Sequence, residues 1–261
     1  PGDLKIRVGS LSMADLRYLL PELSDRMEYV LRLAFRRVQN LSRREHDGEP
    51  DRWRLEQLCA ELKAIGQLAD PESDEGEISE EGGKYKDTAD AVLWRLNTAL
   101  NNNQVFDNLQ QVNIRDLLHP GKCAVVQLNQ VDPRQQQVIV AALLRRLYQA
   151  RVQTQRGQAS ASENMDFYLP YPIYVILEEA HHFTPAKGDA ISTEILKTIL
   201  AEGRKFGVGV GLISQRPGKL DADVLSQCNT QFLLRIVNPV DQARVRESVE
   251  SVGQDLIAEL P

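Results

Sequence analysis

The sequence predicts an α/β protein in which a partial parallel sheet flanked by helices follows an all-helical subdomain. Two patterns carry this reading. Across residues 1–112 the apolar side chains recur at three- and four-residue spacing, the period of an amphipathic helix. Across residues 113–261 short runs rich in Val, Ile and Leu alternate with helical stretches, as they do when parallel strands are covered by helices on their faces.

In the first region, Leu4-Lys5-Ile6-Arg7-Val8 alternates and suits a short strand. Ser12 then caps a helix carrying Leu16, Leu19 and Leu20. Met27, Val30, Leu31, Ala34, Phe35 and Val38 fall on one face of a second helix. After Pro50, Asp51 suits the cap of a third, with Leu55, Leu58, Cys59, Leu62 and Ile65 inward. Residues 70–87 (DPESDEGEISEEGGKYKD) are acidic and nearly devoid of apolar side chains, which predicts a mobile surface loop. A fourth helix follows, with Val92, Leu93, Leu96 and Leu100 on one side. Trp53 and Trp94 are expected on helices, as core residues.

The second region opens with a strand over Cys123–Leu128, entered through Pro120-Gly121, and a long helix from about Arg134 to Gln153. Residues 154–170 read as a polar loop. Ile173–Leu177 reads as a strand buried on both faces. A helix over Asp189–Lys205, a strand over Val208–Ile213, a short helix over Ala222–Gln227, a strand over Phe232–Ile236 and a helix over Asp241–Val252 complete the pattern. Chemistry in such sheets collects at the carboxyl ends of the strands.

Composition narrows the class. A hydrophobic fraction of 42% and a charged fraction of 26% in 261 residues are those of a folded globular chain. A net charge of -6 argues against a strongly basic nucleic-acid coat, while leaving room for a local basic stripe. No apolar run approaches the roughly 18 residues of a membrane span. Cys59, Cys123 and Cys228 lie far apart without metal spacing, so no membrane association and a reducing, cytoplasmic setting are expected. Pro1-Gly2-Asp3 lacks an initiator Met, which suggests a piece of a longer protein.

The residues that carry chemistry sit at predicted strand ends. Ile173–Leu177 runs into Glu178-Glu179-Ala180-His181. A hydrophobic strand ending in two acids resembles the Walker B element of P-loop ATPases, where one acid holds Mg²⁺, usually through water, and the next polarises the attacking water. Here Glu178 takes the first role and Glu179 the second; the same pair also suits a solvated helix cap. The Val208–Ile213 strand ends in Ser214-Gln215-Arg216-Pro217. The amide of Gln215 both donates and accepts, as sensing a γ-phosphate or orienting water requires; a polar turn stopped by proline is the alternative. Arg204 suits an arginine finger acting across a subunit boundary, or, with Lys205, simple complementing of a helix C-terminus. His181 and His182 have no third ligand at metal spacing, which argues against zinc. His46 and His119 read as surface or turn residues, and Arg36, Arg37, Arg43 and Arg44 as a solvated helix end.

Taken together, LEEAHHF (177–183), EGRKFGVGVGLISQRP (202–217) and Asn238-Pro239-Val240-Asp241 resemble the second half of the ATPase core of the HerA/FtsK group of hexameric DNA translocases, HerA more than FtsK. The helical stretch before them resembles the helical insertion of HerA-type proteins. The resemblance implies a RecA-like P-loop core, with residues 1–112 as the insertion and 113–261 as the C-terminal part of the core. It also implies ATP and Mg²⁺ as cofactors, a homo-hexameric ring, double-stranded DNA in its channel, and a NurA-like nuclease or other effector as partner in DNA-end processing. By the same resemblance Glu179 is the catalytic acid, Glu178 the magnesium-side acid, Arg204 the trans-acting finger and Gln215 the sensor. Asp is common in the family where Glu178 stands, one methylene shorter. Channel-facing loops contact DNA in such rings, which nominates Arg151 and Arg156 beside the 153–162 loop.

The sequence departs from the family at one point. The pattern G-x-x-x-x-G-K-[ST] does not occur in the 261 residues. Gly121-Lys122-Cys123, Gly82-Gly83-Lys84 and Gly218-Lys219-Leu220 lack the required neighbours. In the family that loop lies upstream of the insertion, so this piece alone is expected not to hydrolyse ATP. An anti-phage motor of the same fold and a degenerate, non-catalytic ring scaffold are the alternatives; a DEAH-type helicase fits the SQRP and NPVD segments poorly.

Overall fold

The computed structural model describes residues 4–68, 83–100, 105–234, 236 and 238–248. The chain divides into two compact units, residues 1–112 with 126–134, and residues 113–125 with 135–261. It mixes helices with two small parallel sheets.

In the first unit, β1 (Ile6–Arg7) pairs in parallel with β2 (Phe106–Asp107), Ile6 opposite Phe106. Helix α1 (Met13–Leu19) starts in a capping box: Ser12 Oγ accepts the Asp15 N–H, and Asp15 Oδ2 accepts the Ser12 N–H at 2.8 Å. Helices α2 (Asp25–Glu45), α3 (Leu55–Gln67) and α4 (Lys86–Leu100) pack on one another through the apolar faces expected of them. Leu31, Val38, Leu58, Leu62, Ile65 and Leu96 are fully buried there.

Three local expectations fail in this unit. Asp51 does not cap α3, which begins four residues later, with Arg54 at the N-cap. Gln57 Oε1 accepts the Arg54 N–H and Asn108 Oδ1 accepts the Leu55 N–H, both at 2.8 Å, while Asp51 faces Arg7 at 3.6 Å. Trp53 is core but lies before the helix, its ring edge-on to Phe35 at 5.8 Å. Trp94 is on α4 but 70% exposed, on the face opposite Val92 and Leu96. Most of the acidic 70–87 stretch lies outside the described residues; its last part, from Lys86, is already the first turn of α4.

The second unit holds α5 (Ile114–Leu117), α6 from residue 135 of Pro133–Gln155, β3 (Ile173–Leu177), α7 (Thr193–Phe206), β4 (Val208–Leu212), α8 (Ala222–Ser226) and α9 (Pro239–Ser248). β3 and β4 run parallel in full register, Ile173 opposite Val208 and Leu177 opposite Leu212, with α7 as the crossover packed on β4. The motif glycines of this segment have direct structural reasons. A Cβ on Gly203 would stand 2.5 Å from the Val208 carbonyl oxygen, so the glycine permits the close helix–strand approach. Gly207 ends α7 at φ +71°, in the left-handed region that a side chain disfavours.

The sheet itself corrects the sequence reading. β3 buries Ile173 and Leu177, but Tyr174 and Ile176 on alternate positions are 68% and 59% exposed. Tyr174 lies across the glycines of β4: a Cβ at Gly209 would meet its ring at 2.6 Å. Neither 123–128 nor the described part of 232–236 forms a strand; both are irregular, and Phe232 is 90% exposed. Apolar alternation marks a segment able to pair, whereas pairing needs a neighbouring strand edge, and none meets these segments among the described residues. α7 begins at Thr193 rather than Asp189, and residues 249–252 of the expected last helix lie outside the described residues.

Candidate functional site at the strand carboxyl ends

The parallel ladder of β3 and β4 continues one step past the strands in an irregular way. The Ile213 N–H donates to the Leu177 carbonyl and the Ala180 N–H donates to the Ile213 carbonyl, both at 2.9 Å. Glu178 and Glu179 lie between these two rungs and are pushed outward as a two-residue bulge. Glu179 accordingly takes a left-handed conformation, φ 49° and ψ 44°. That conformation costs a non-glycine residue about 1 kcal/mol or more, and the flanking hydrogen bonds hold it in place.

The bulge brings Glu179 to the end of β4. Gln215 Nε2 donates to Glu179 Oε1 at 3.3 Å, and His181 Nδ1 lies 3.3 Å from Glu179 Oε2. The Ser214 hydroxyl stands 3.2 Å from the same His181 nitrogen and accepts the Arg216 N–H at 3.1 Å. The ring centroids of His181 and His182 lie 4.3 Å apart, with the planes tilted by 34°. Burial, the adjacent His182 and the nearby Lys219 and Arg216 together push the His181 imidazole below its ordinary pKa, against the opposing pull of Glu179.

The loop after Gln215 is anchored twice. Residues 184–186 and 219–221 form an antiparallel bridge, with Ala186 N–H donating to the Lys219 carbonyl at 2.7 Å and Asp221 N–H to the Thr184 carbonyl at 2.9 Å. From α9, the buried Asp241 accepts the Gly218 N–H at 2.6 Å. The Asn-Pro-Val-Asp segment therefore has two local tasks: Asn238 Oδ1 accepts the Val240 N–H to start α9, and Asp241 fixes the turn beyond Gln215.

Of the residues nominated from sequence, Glu179 and Gln215 are in contact and Glu178 is exposed beside them. Arg204 is exposed on the last turn of α7, at the amino end of β4, separated from Gln215 by the roughly 17 Å rise of a five-residue strand. Any role it has at a site of this kind would have to be played on another copy. Arg151 is a correction. It is 2% exposed, and its guanidinium donates to the carbonyls of Phe206 at 2.8 Å and Leu169 at 2.5 Å, capping α7 instead of facing a nucleic-acid phosphate. Arg156 is exposed, with its guanidinium over the Phe206 ring. Sequence reasoning missed His181, Ser214 and Asp241 as members of the site. The first two flank the nominated acid and amide, a signal available in the sequence; the third shows no local sign of its distant partner.

As for other chemistry, no group of three or more His, Cys, Asp or Glu side chains able to hold a metal occurs among the described residues. No described helix is long and apolar enough to cross a membrane.

The fold and site define an α/β protein whose polar groups converge at the carboxyl ends of two parallel strands, the position where such sheets do chemistry. Its sequence matches the family model described as "Helicase HerA, central domain" over residues 1–147, and the chain belongs to that family. It is 34% identical to the DNA double-strand break repair helicase HerA of Pyrococcus furiosus over 71% of this chain and 37% of that protein. It is 31% identical to the HerA of Saccharolobus solfataricus over 72% of this chain and 36% of that protein. A probable helicase of Methanocaldococcus jannaschii is 36% identical over 65% of this chain and 31% of its own length. The chain thus spans about a third of the length of the curated relatives it matches.

Proposed function

We propose that this chain is part of an ATP-driven, HerA-type DNA translocase acting in DNA-end processing. The observation that carries the reading is the contact between Glu179 and Gln215 at the ends of paired parallel strands. In this reading residues 113–261 are the C-terminal part of a RecA-like core and residues 1–112 a helical insertion. Glu179 accepts the proton of the attacking water, and Gln215 orients that water or meets the γ-phosphate. Arg204, exposed at the far end of the sheet, acts in trans across a subunit boundary of a homo-hexamer.

The donor set suits one side of a magnesium nucleotide. Glu178 and Glu179 offer carboxylate oxygens, the ligand type that Mg²⁺ takes directly or through its waters. The phosphate side needs a cradle of backbone N–H groups and a lysine, and the pattern that builds one is not in this sequence. Magnesium-bound ATP supplies the phosphoanhydride that is cleaved; this chain's own groups place and deprotonate water. Double-stranded DNA is the partner drawn from the relatives' printed role in double-strand break repair. A NurA-like nuclease is the effector this reading favours, and Arg156 is the exposed cation retained as a DNA contact.

ATP turnover tests the reading in two preparations. The full-length protein is expected to hydrolyse ATP and to lose that activity in Glu179→Gln, while the 261-residue chain alone is expected to show none. Turnover by full-length Glu179→Gln at the wild-type rate would sink the catalytic assignment. Turnover by the isolated chain that the same change abolishes would sink the claim that the chain alone is inactive.

A further inference from the structure

The roles given to Glu179 and Gln215 leave unused the imidazole that touches them. His181 has only 12% of its side chain exposed, and its Nδ1 faces two oxygens: Glu179 Oε2 at 3.3 Å and Ser214 Oγ at 3.2 Å. The second carboxylate oxygen, Oε1, is held separately by Gln215 Nε2. Oε1 is thus hydrogen-bonded from the loop after β4, while Oε2 lies within ion-pair distance of the imidazole from the turn after β3. Ser214 joins the two, since the hydroxyl that meets the imidazole also accepts the Arg216 N–H and so fixes the backbone on the far side of Gln215.

The need for such holding follows from exposure. The Glu179 side chain is 45% exposed and projects from a bulge, so its long side chain has several solvated rotamers open to it. A group that deprotonates water works only when it is held within about 0.5 Å of the productive place. An ionised carboxylate is acceptor-only, so a hydrogen bond from this imidazole to Glu179 requires the tautomer that carries the proton on Nδ1.

We propose that His181 is a positioning residue for Glu179: its Nδ1–H donates to Oε2, with the ring steadied by Ser214, and so sets the direction of the carboxylate relative to Gln215. This rests on the reading of Glu179 as the acid that activates water. His181 touches no reacting atom itself.

Two measurements test it. In the full-length protein, His181→Ala lowers kcat for ATP by about tenfold to a hundredfold while KM for ATP stays within about twofold, because orientation is lost and binding is not. His181→Asn places an amide N–H close to the former Nδ1 and keeps most of the activity. His181→Gln, whose amide falls nearer the Nε2 position, behaves like the alanine variant. Ser214→Ala gives a smaller drop in the same direction. Wild-type kcat in His181→Ala, or asparagine no better than glutamine, overturns the proposal. The second measurement needs no turnover. In imidazole ¹⁵N spectra of the 261-residue chain, His181 shows a protonated Nδ1 whose resonance moves in both Glu179→Gln and Ser214→Ala. A resonance unmoved by either change overturns the contact. Turnover that survives Glu179→Gln removes the catalytic reading, while the spectra still decide whether His181 holds Glu179.

Discussion

Arg151 offers the sharpest test of how this fold is held. Its guanidinium is internal and donates to the Phe206 carbonyl, an orphan acceptor at the end of α7, and to the Leu169 carbonyl just before β3. One side chain thereby ties the entry of β3 to the entry of β4. Hydrogen bonds from a charged donor are worth about 1.5–3 kcal/mol each, and truncation leaves both carbonyls facing a void. Against this, removing the guanidinium recovers the cost of burying its charge, the same desolvation that lowers the pKa of Arg151. The net loss expected for Arg151→Ala is about 2–4 kcal/mol. Arg151→Lys keeps the charge but not the fork, and a single ammonium serves one carbonyl well, so about half of that loss is expected. Urea unfolding of the 261-residue chain measures both, read as a lower midpoint at unchanged slope. An unfolding free energy for Arg151→Ala within about 0.5 kcal/mol of wild type would refute the account. A guanidinium serving DNA phosphate instead predicts the opposite pair of results: weaker DNA binding with unaltered stability.

Other consequences follow from single contacts. Gly207→Ala forces a Cβ into the left-handed region beside Pro172 and is expected to cost about 1–2 kcal/mol by the same unfolding assay. Leu62→Ala empties a fully buried position between α2, α3 and α4, and about 2–5 kcal/mol of destabilisation is expected. The His181 pKa is depressed in the folded chain, so the unfolded chain binds more protons between that lowered value and the ordinary 6.5. Its contribution to stability is therefore full above pH 6.5 and is lost as pH falls through that window, a slope that unfolding at stepped pH detects. Glu179→Gln removes the carboxylate that favours the charged ring, and the His181 titration midpoint followed by NMR should fall further.

The helices of the first region were legible because their burial is periodic and local. Val30, Leu31, Ala34 and Val38 share a face by spacing alone, and the Ser12 cap needs only Asp15 three residues on. Asp51 shows where such reading stops. The residues that satisfy the first turn of α3 are Gln57 and the distant Asn108, and no local pattern points to the second.

The site divides the same way. Sequence alone marked Glu178, Glu179 and Gln215, since polar groups closing apolar strand segments are a one-dimensional signal. It also marked Gly203 and Gly207 within a recognisable motif. Only the tertiary structure decided that Glu179 sits on a left-handed bulge between two ladder rungs, with its two carboxylate oxygens facing Gln215 and His181. It alone placed Arg151 inside the fold and left the face of Tyr174 and Ile176 exposed. The reason is physical: hydrophobic period and capping chemistry act between neighbours in the chain, whereas the direction of a carboxylate or the burial of a guanidinium depends on residues tens of positions away that packing brings alongside.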